Sequence, residues 1–208
     1  MKIGKYGQSC LIIEEDDQVI LIDPGSYSEE YKGELLSSLS KLDLVLITHD
    51  HLDHMSPVLI KEILEKFPDV TIISNSIVKE MLAKENIDAT LDKVPQVELE
   101  TIDHERLWFG NPTKNTVYTV FDRLTHPGDS HHFSFSAEIL ALPLTAPWGS
   151  TVQAVEKALE MQPKTIIPIH DSLWKDEVRK SFYQRLKEYF NQQNIEFIGI
   201  ENGETIEV

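Results

Sequence analysis

Thr48-His49-Asp50-His51-Leu52-Asp53-His54 places three imidazoles and two carboxylates within seven residues. Neutral imidazole and carboxylate together suit a borderline divalent cation, zinc first, with manganese or iron as alternatives. In a tight loop His49 and His51 can point one way while Asp53 and His54 point another. That arrangement serves two ions rather than one. The competing reading is a solvated loop rich in histidine by chance, and the regular spacing directly after an apolar run opposes it.

The elements around the cluster fix where it sits. Leu44-Val45-Leu46-Ile47 is an apolar, partly β-branched run and reads as a buried strand. Ser56-Pro57 reads as the N-cap and first residue of a helix. The cluster therefore occupies a loop at the carboxyl end of a strand, where open α/β sheets keep their sites. Strands are expected over 1–6, 9–14, 18–22, 43–48, 70–73, 90–94, 97–103, 115–121, 138–143 and 165–169, with a closing hairpin over 195–207. Helices are expected over 29–41, 56–67 and 76–84. A fourth starts at the capping-box sequence Ser150-Thr151-Val152-Gln153 and turns Val152, Val155 and Leu159 to one face. A last helix over 175–192 places Val178, Phe182, Leu186 and Phe190 on a core-facing stripe. Five of the strands end at or near Asp23, His49, His104, Asp129 and His170. A core histidine sits inside a run rather than at its end. Repeated placement at strand ends points the strands at one shared edge.

With 208 residues, 41% of them hydrophobic and 26% charged, the chain is expected to form one globular domain over residues 1–208. No apolar run approaches the roughly 18 residues that span a bilayer, and the first residues lack the apolar core of a signal peptide. The lone Cys10 excludes an intramolecular disulfide and fits a reducing cytoplasm. Its apolar neighbours make it a buried, inert thiol. A net charge of -16 disfavours long-range attraction of nucleic acid and argues against a nuclease. No serine lies in a Gly-x-Ser-x-Gly elbow, and nothing suggests a protein nucleophile. A small-molecule substrate is expected, with neither nucleic acid nor membrane as partner. The oligomeric state is left open.

The motif His-x-His-x-Asp-His, with Tyr6-Gly7-Gln8-Ser9, Leu21-Ile22-Asp23-Pro24-Gly25, His126-Pro127-Gly128-Asp129-Ser130, Trp148-Gly149-Ser150-Thr151 and Ile167-Pro168-Ile169-His170, resembles the metallo-β-lactamase superfamily over nearly the whole chain. Within it the likeness is to the compact branch that includes the ascorbate-6-phosphate lactonase. The resemblance implies a four-layered αββα sandwich with its site at the sheet edges. It implies that His49, His51 and His104 bind one divalent ion, that Asp53, His54 and His170 bind a second, and that Asp129 bridges the two. Asp23 would orient a ligand imidazole, beyond its role as a turn residue before Pro24-Gly25. His126 is the rival to His104 as third histidine of the first ion. His131 and His132 read as loop histidines, one of which could touch substrate.

The implied activity is metal-dependent hydrolysis, with a metal-bridging hydroxide acting on a small ester, lactone or phosphodiester and Asp53 orienting it and taking a proton. Trp148, Trp174 and His126 are candidate substrate contacts. The alternatives are an RNA-processing nuclease of the same superfamily, a di-iron redox protein and a non-catalytic metal-binding relative. One cysteine and no room for a flavin or rubredoxin module count against the redox reading.

Overall fold

The computed structural model describes residues 1–109 and 113–208. Alternation of apolar residues at period two builds two sheets that share one interior. The first carries β1 (Lys2–Lys5), β2 (Leu11–Glu15), β3 (Gln18–Ile22), β4 (Leu44–Leu46) and β5 (Thr71–Ile73), with the chain's last strand, β12 (Thr205–Glu207), against β1. The second carries β6 (Val97–Asp103), β7 (Lys114–Val120), β8 (Leu124–His126), β9 (Ile139–Pro143), β10 (Thr165–Ile169) and β11 (Glu196–Phe197), in that spatial order. Leu11, Ile13, Ile20, Ile22, Leu44 and Leu46 face Tyr118, Val120, Leu124, Ile139 and Ile167 between the sheets. The intervening residues Ile12, Leu21 and Val45 point outward, onto the first sheet's helices.

Those helices are α1 (Lys32–Ser38), preceded by a 3-10 turn, α2 (Pro57–Lys66) and α3 (Ser76–Lys84). The outer face of the second sheet packs Leu140, Leu142 and Ile166 against α4 (Thr151–Met161) and α5 (Asp176–Asn191). The result is the expected four-layered αββα sandwich. Ser56 caps α2 by accepting the Leu59 N–H, and Ser150 and Gln153 form a capping box at α4.

Pairing aligns the strand ends that matter. β3, β4 and β5 run parallel with Ile22, Leu46 and Ile73 in register, and β9 and β10 run parallel with Pro143 opposite Ile169. Their carboxyl ends meet at one rim.

The structure departs from the sequence expectations at several elements, among them β8, which no expected strand covers. Residues 90–94 form no strand: Thr90 makes a single bridge to Ile73, and Pro95, which has no N–H to offer, follows. The expected hairpin over 195–207 is split, with β11 parallel to β10 and β12 antiparallel to β1, so its halves close different sheets. In α5 the buried residues are Arg179, Tyr183, Leu186 and Phe190, while Val178 is exposed. In α4 the small Ala154 and Ala158 face the sheet, and Val152 lies outside. Among the described residues no helix is long and apolar enough to cross a membrane.

Candidate metal centre

The loop after β4 turns tightly because the loop after β3 lies directly beneath it. A Cβ on Gly25 would sit 1.8 Å from the Asp53 carbonyl oxygen, so only glycine allows this approach. Gly128 has φ +59, and a Cβ there would meet Asn115 Oδ1 at 2.1 Å. That same Oδ1 accepts the Asp129 N–H, which fixes the start of the Asp129 loop. Asp23 and His170 both adopt left-handed backbone, at φ +50 and φ +55. Such conformations are uncommon outside glycine and gather at functional sites.

Two sets of potential ligand atoms converge at the rim. His49, His51, His104 and Asp129 form one, and Asp53, His54, Asp129 and His170 form the other. Within each set the atoms lie within 4.8 Å of one another. Asp129 belongs to both. Its Oδ1 lies 3.0 Å from His54 Nε2, and its Oδ2 lies 3.2 Å from His170 Nε2 and 3.4 Å from His104 Nε2.

In His49, His54, His104 and His170 the far nitrogen is tied down, which turns the near one to the centre. His54 Nδ1–H donates to Asp23 Oδ2 at 2.7 Å. His104 Nδ1–H donates to the Glu105 carbonyl at 2.6 Å, and His170 Nδ1–H to the Thr145 carbonyl at 2.7 Å. The Thr48 hydroxyl donates to Asp23 at 2.7 Å and lies 3.0 Å from His49 Nδ1, whose proton it accepts. Asp23 thus orients His54 directly and His49 through Thr48. His49 Nε2 and His51 Nδ1 face each other at 3.1 Å, as two donors do when they share an ion.

Three buried atoms at the centre, His54 Nε2, His104 Nε2 and Asp129 Oδ1, have no hydrogen-bond partner. Buried polar atoms without partners are costly, and a divalent cation would satisfy all three. The donor set therefore fits divalent metal binding.

Charge at the centre is strongly coupled. Burial alone would lower the His170 and His54 imidazoles, but facing carboxylates outweigh it. Asp129 brings His170 up to about 9, and Asp129 with Asp23 holds His54 well above the usual imidazole range. His49, with burial and the neighbouring His54 against it, lies well below that range. Burial would raise the Asp53 carboxyl, but the His170 hydrogen bond and the His54 charge bring it down to about 2.

The remaining candidates have different surroundings. His126 is buried at the end of β8, where its Nε2–H donates to the Ser9 carbonyl at 2.9 Å and its Nδ1 accepts the Gly128 N–H. It belongs to neither ligand set, and both its nitrogens are engaged away from the cleft. The Trp148 indole N–H donates to Asp129 Oδ2 at 2.7 Å, and its ring stands edge-on to His170 and His131. Trp174 stacks on Phe182 at 4.6 Å and packs with the outer core, so it does not line the cleft. His131 is half-buried against Trp148, and His132 is exposed beside Glu105. Cys10 is buried, and burial pushes its thiol up to about 12.

Sequence reasoning missed Thr48, Asn115 and the cleft-lining Leu107 and Phe109. Thr48 carried a signal, since it directly precedes the first histidine. It also missed Lys5, whose buried ammonium bonds Asp171, the Pro168 carbonyl and the Tyr183 hydroxyl directly behind His170.

Fold and site together define a metal-dependent hydrolase. The chain belongs to the β-lactamase superfamily: the family model described as a beta-lactamase superfamily domain matches residues 2–170. A Mycobacterium tuberculosis protein is 28% identical over 203 residues, covering 90% of this chain and 92% of that one. A Nanoarchaeum equitans protein named a metal-dependent hydrolase is 25% identical over 232 residues, covering 100% of both chains. Among solved structures, the metallo hydrolase Igni18 of Ignicoccus hospitalis superposes with a TM-score of 0.72 at 21% identity, covering 99% of this chain and 97% of that one. These comparisons give the superfamily and do not single out a branch.

Proposed function

We propose that the protein hydrolyses a small-molecule ester, lactone or phosphodiester at a centre that holds two divalent cations, zinc first, with manganese or iron as alternatives. The observation that carries this reading is the pair of four-residue ligand sets that share Asp129, with three of their atoms buried and unpartnered. His49, His51 and His104 would hold one ion, Asp53, His54 and His170 the other, and Asp129 both. Ions bound there supply Lewis acidity and lower the pKa of water.

The chain's own residues do the rest. Asp23, Thr48, Glu105 and Thr145 fix the rings of His54, His49, His104 and His170 with one nitrogen turned inward. Asp53 presents an ionised carboxylate on the open side of the centre, 3.6 Å from His170 and 3.8 Å from His54. There it can orient the attacking water and accept its proton. Asp129 is held by Asn115 at its backbone and by Trp148 at its carboxylate. The acidity of the chain, at -16, favours small substrates over RNA.

The test is elemental analysis of metal-replete protein, coupled to a hydrolase screen with lactones, phosphodiesters, thioesters and RNA. About two divalent ions per chain are expected, with occupancy at both sites lowered by Asp129→Ala. A stoichiometry at or below one, or full metal and activity in Asp129→Ala, overturns the two-ion reading.

A further inference from the structure

The cleft over the metal centre has a volume of about 180 Å³. Its floor is His51, Asp53, Asp129 and His170, and its walls are Leu107, Phe109, Pro147 and Trp148. The walls come from two loops, one after β6 and one after β9. No lysine or arginine lines it among the described residues. Arg106, in the same loop as Leu107, is exposed and is not part of the wall.

Two other cations of the region are paired with carboxylates. Lys5 is buried behind His170 and paired with Asp171, and Lys114 is paired with Asp103 at the end of β6. The one polar side-chain group on the described wall, the Trp148 indole N–H, is taken by Asp129. Its ring is left to face the substrate as an apolar surface.

We infer that the substrate is an uncharged ester or lactone with an apolar acyl or ring portion seated between Leu107, Phe109, Pro147 and Trp148. This rests on the hydrolase reading above and narrows it. A phosphodiester keeps its negative charge throughout binding. Beyond the charge that bound ions would offset, it would lie against four apolar side chains beside the Asp53 carboxylate, with no lysine or arginine among the described cleft-lining residues. An uncharged acyl group gains from the same walls, because burial of apolar surface is favourable in proportion to its area. In the reaction the oxygen of water adds to the acyl carbon and the bond from that carbon to the alcohol oxygen breaks. One water proton leaves with the alcohol, and the product acid releases the other to solvent.

The test compares p-nitrophenyl esters of lengthening acyl chain, a matched series of alkyl lactones, and bis(p-nitrophenyl) phosphate, at fixed salt and metal. Metal content is measured on the same samples. We expect kcat/KM to rise about fourfold per added methylene until the cleft is filled, with the phosphodiester at least ten times poorer than the best ester. Phe109→Lys should flatten the chain-length dependence through KM and raise the phosphodiester relative to the ester. Calorimetry gives a readout without turnover: an N-alkyl lactam inert to hydrolysis should bind more tightly than a dialkyl phosphate. If the phosphodiester is the best substrate, or chain length has no effect, with two ions bound, the inference is wrong and the hydrolase reading stands. If no substrate in any series is turned over by protein holding two ions, the hydrolase reading falls and this inference with it.

Discussion

Asp23→Asn is the sharpest perturbation of the centre that leaves its ligands in place. Asp23 is fully buried and accepts three hydrogen bonds: the Thr48 N–H at 2.8 Å, the Thr48 hydroxyl at 2.7 Å and His54 Nδ1–H at 2.7 Å. Its backbone sits at φ +50, which Asn tolerates as well as Asp, so the turn itself is spared. An amide can keep its oxygen toward the Thr48 N–H, and the Thr48 hydroxyl can rotate to accept. The amide NH2 then faces His54 Nδ1–H, donor against donor. A buried unsatisfied donor costs about 1–3 kcal/mol. His54 can escape only by moving its proton to Nε2, the atom aimed at Asp129 and the ions. Either outcome weakens metal binding, by about 10–100-fold on the scale of such orienting partners, or about 1.4–2.7 kcal/mol. Chelator competition at fixed pH measures the affinity, and urea unfolding of the chelated protein measures the stability. A variant that loses stability but binds metal like the wild type would reduce Asp23 to a turn residue. One unchanged in both would refute the orienting argument altogether.

Three further predictions concern the same rim. His104→Ala should lose metal, whereas His126→Ala should keep it while losing about 1–3 kcal/mol of stability from the Ser9 and Gly128 groups it orphans; metal analysis giving the reverse pattern would transfer the ligand role to His126. Lys5→Met leaves the Asp171 carboxylate buried without its cation and should cost about 3–5 kcal/mol in urea unfolding, most of it recovered in Lys5→Met/Asp171→Leu; a single variant as stable as the wild type would show that the pair holds nothing. In chelated protein, His54 and His170 have folded pKa values raised above the unfolded 6.5, His170 to about 9. Their stabilisation is therefore complete below about pH 6.5; the His170 part, up to about 3 kcal/mol, is lost as pH rises through about 9, and urea midpoints unchanged between pH 6 and 9.5 would contradict it.

How far the centre could be read from sequence depends on what each residue's position is tied to. The ligands of the first loop lie within seven residues, and His170 follows β10, whose apolar run is visible locally. Once parallel pairing brings those strand ends to one rim, their side chains converge with little further information. Residues whose place depends on distant pairing were not legible. β8 is three residues long, and nothing in Leu124-Thr125-His126 marks it as a strand before β7 and β9 flank it. The halves of 195–207 resemble a hairpin until the open edges of two sheets claim one each. Lys5 reads as a surface residue, yet it is buried against Asp171, 166 positions away.

Trp148 and Trp174, the two tryptophans read as candidate substrate contacts, make the same point about substrate. Both follow a strand by a few residues, and local reasoning treats them alike. Trp148 sits on a loop whose Ala146–Gly149 bridge turns it back over the His/Asp cluster, where Asp129 takes its N–H. Trp174 lies just before α5, where Phe182 on the next turns of that helix draws it onto the outer core. Loop closure and helix packing, rather than distance from a strand end, decide which indole borders the cleft. The ligand set is therefore written in the strand ends and the pocket in the loops between them. Members of one superfamily can share the first while differing in the second, and the apolar, cation-free wall is the part of this chain that speaks to its own substrate.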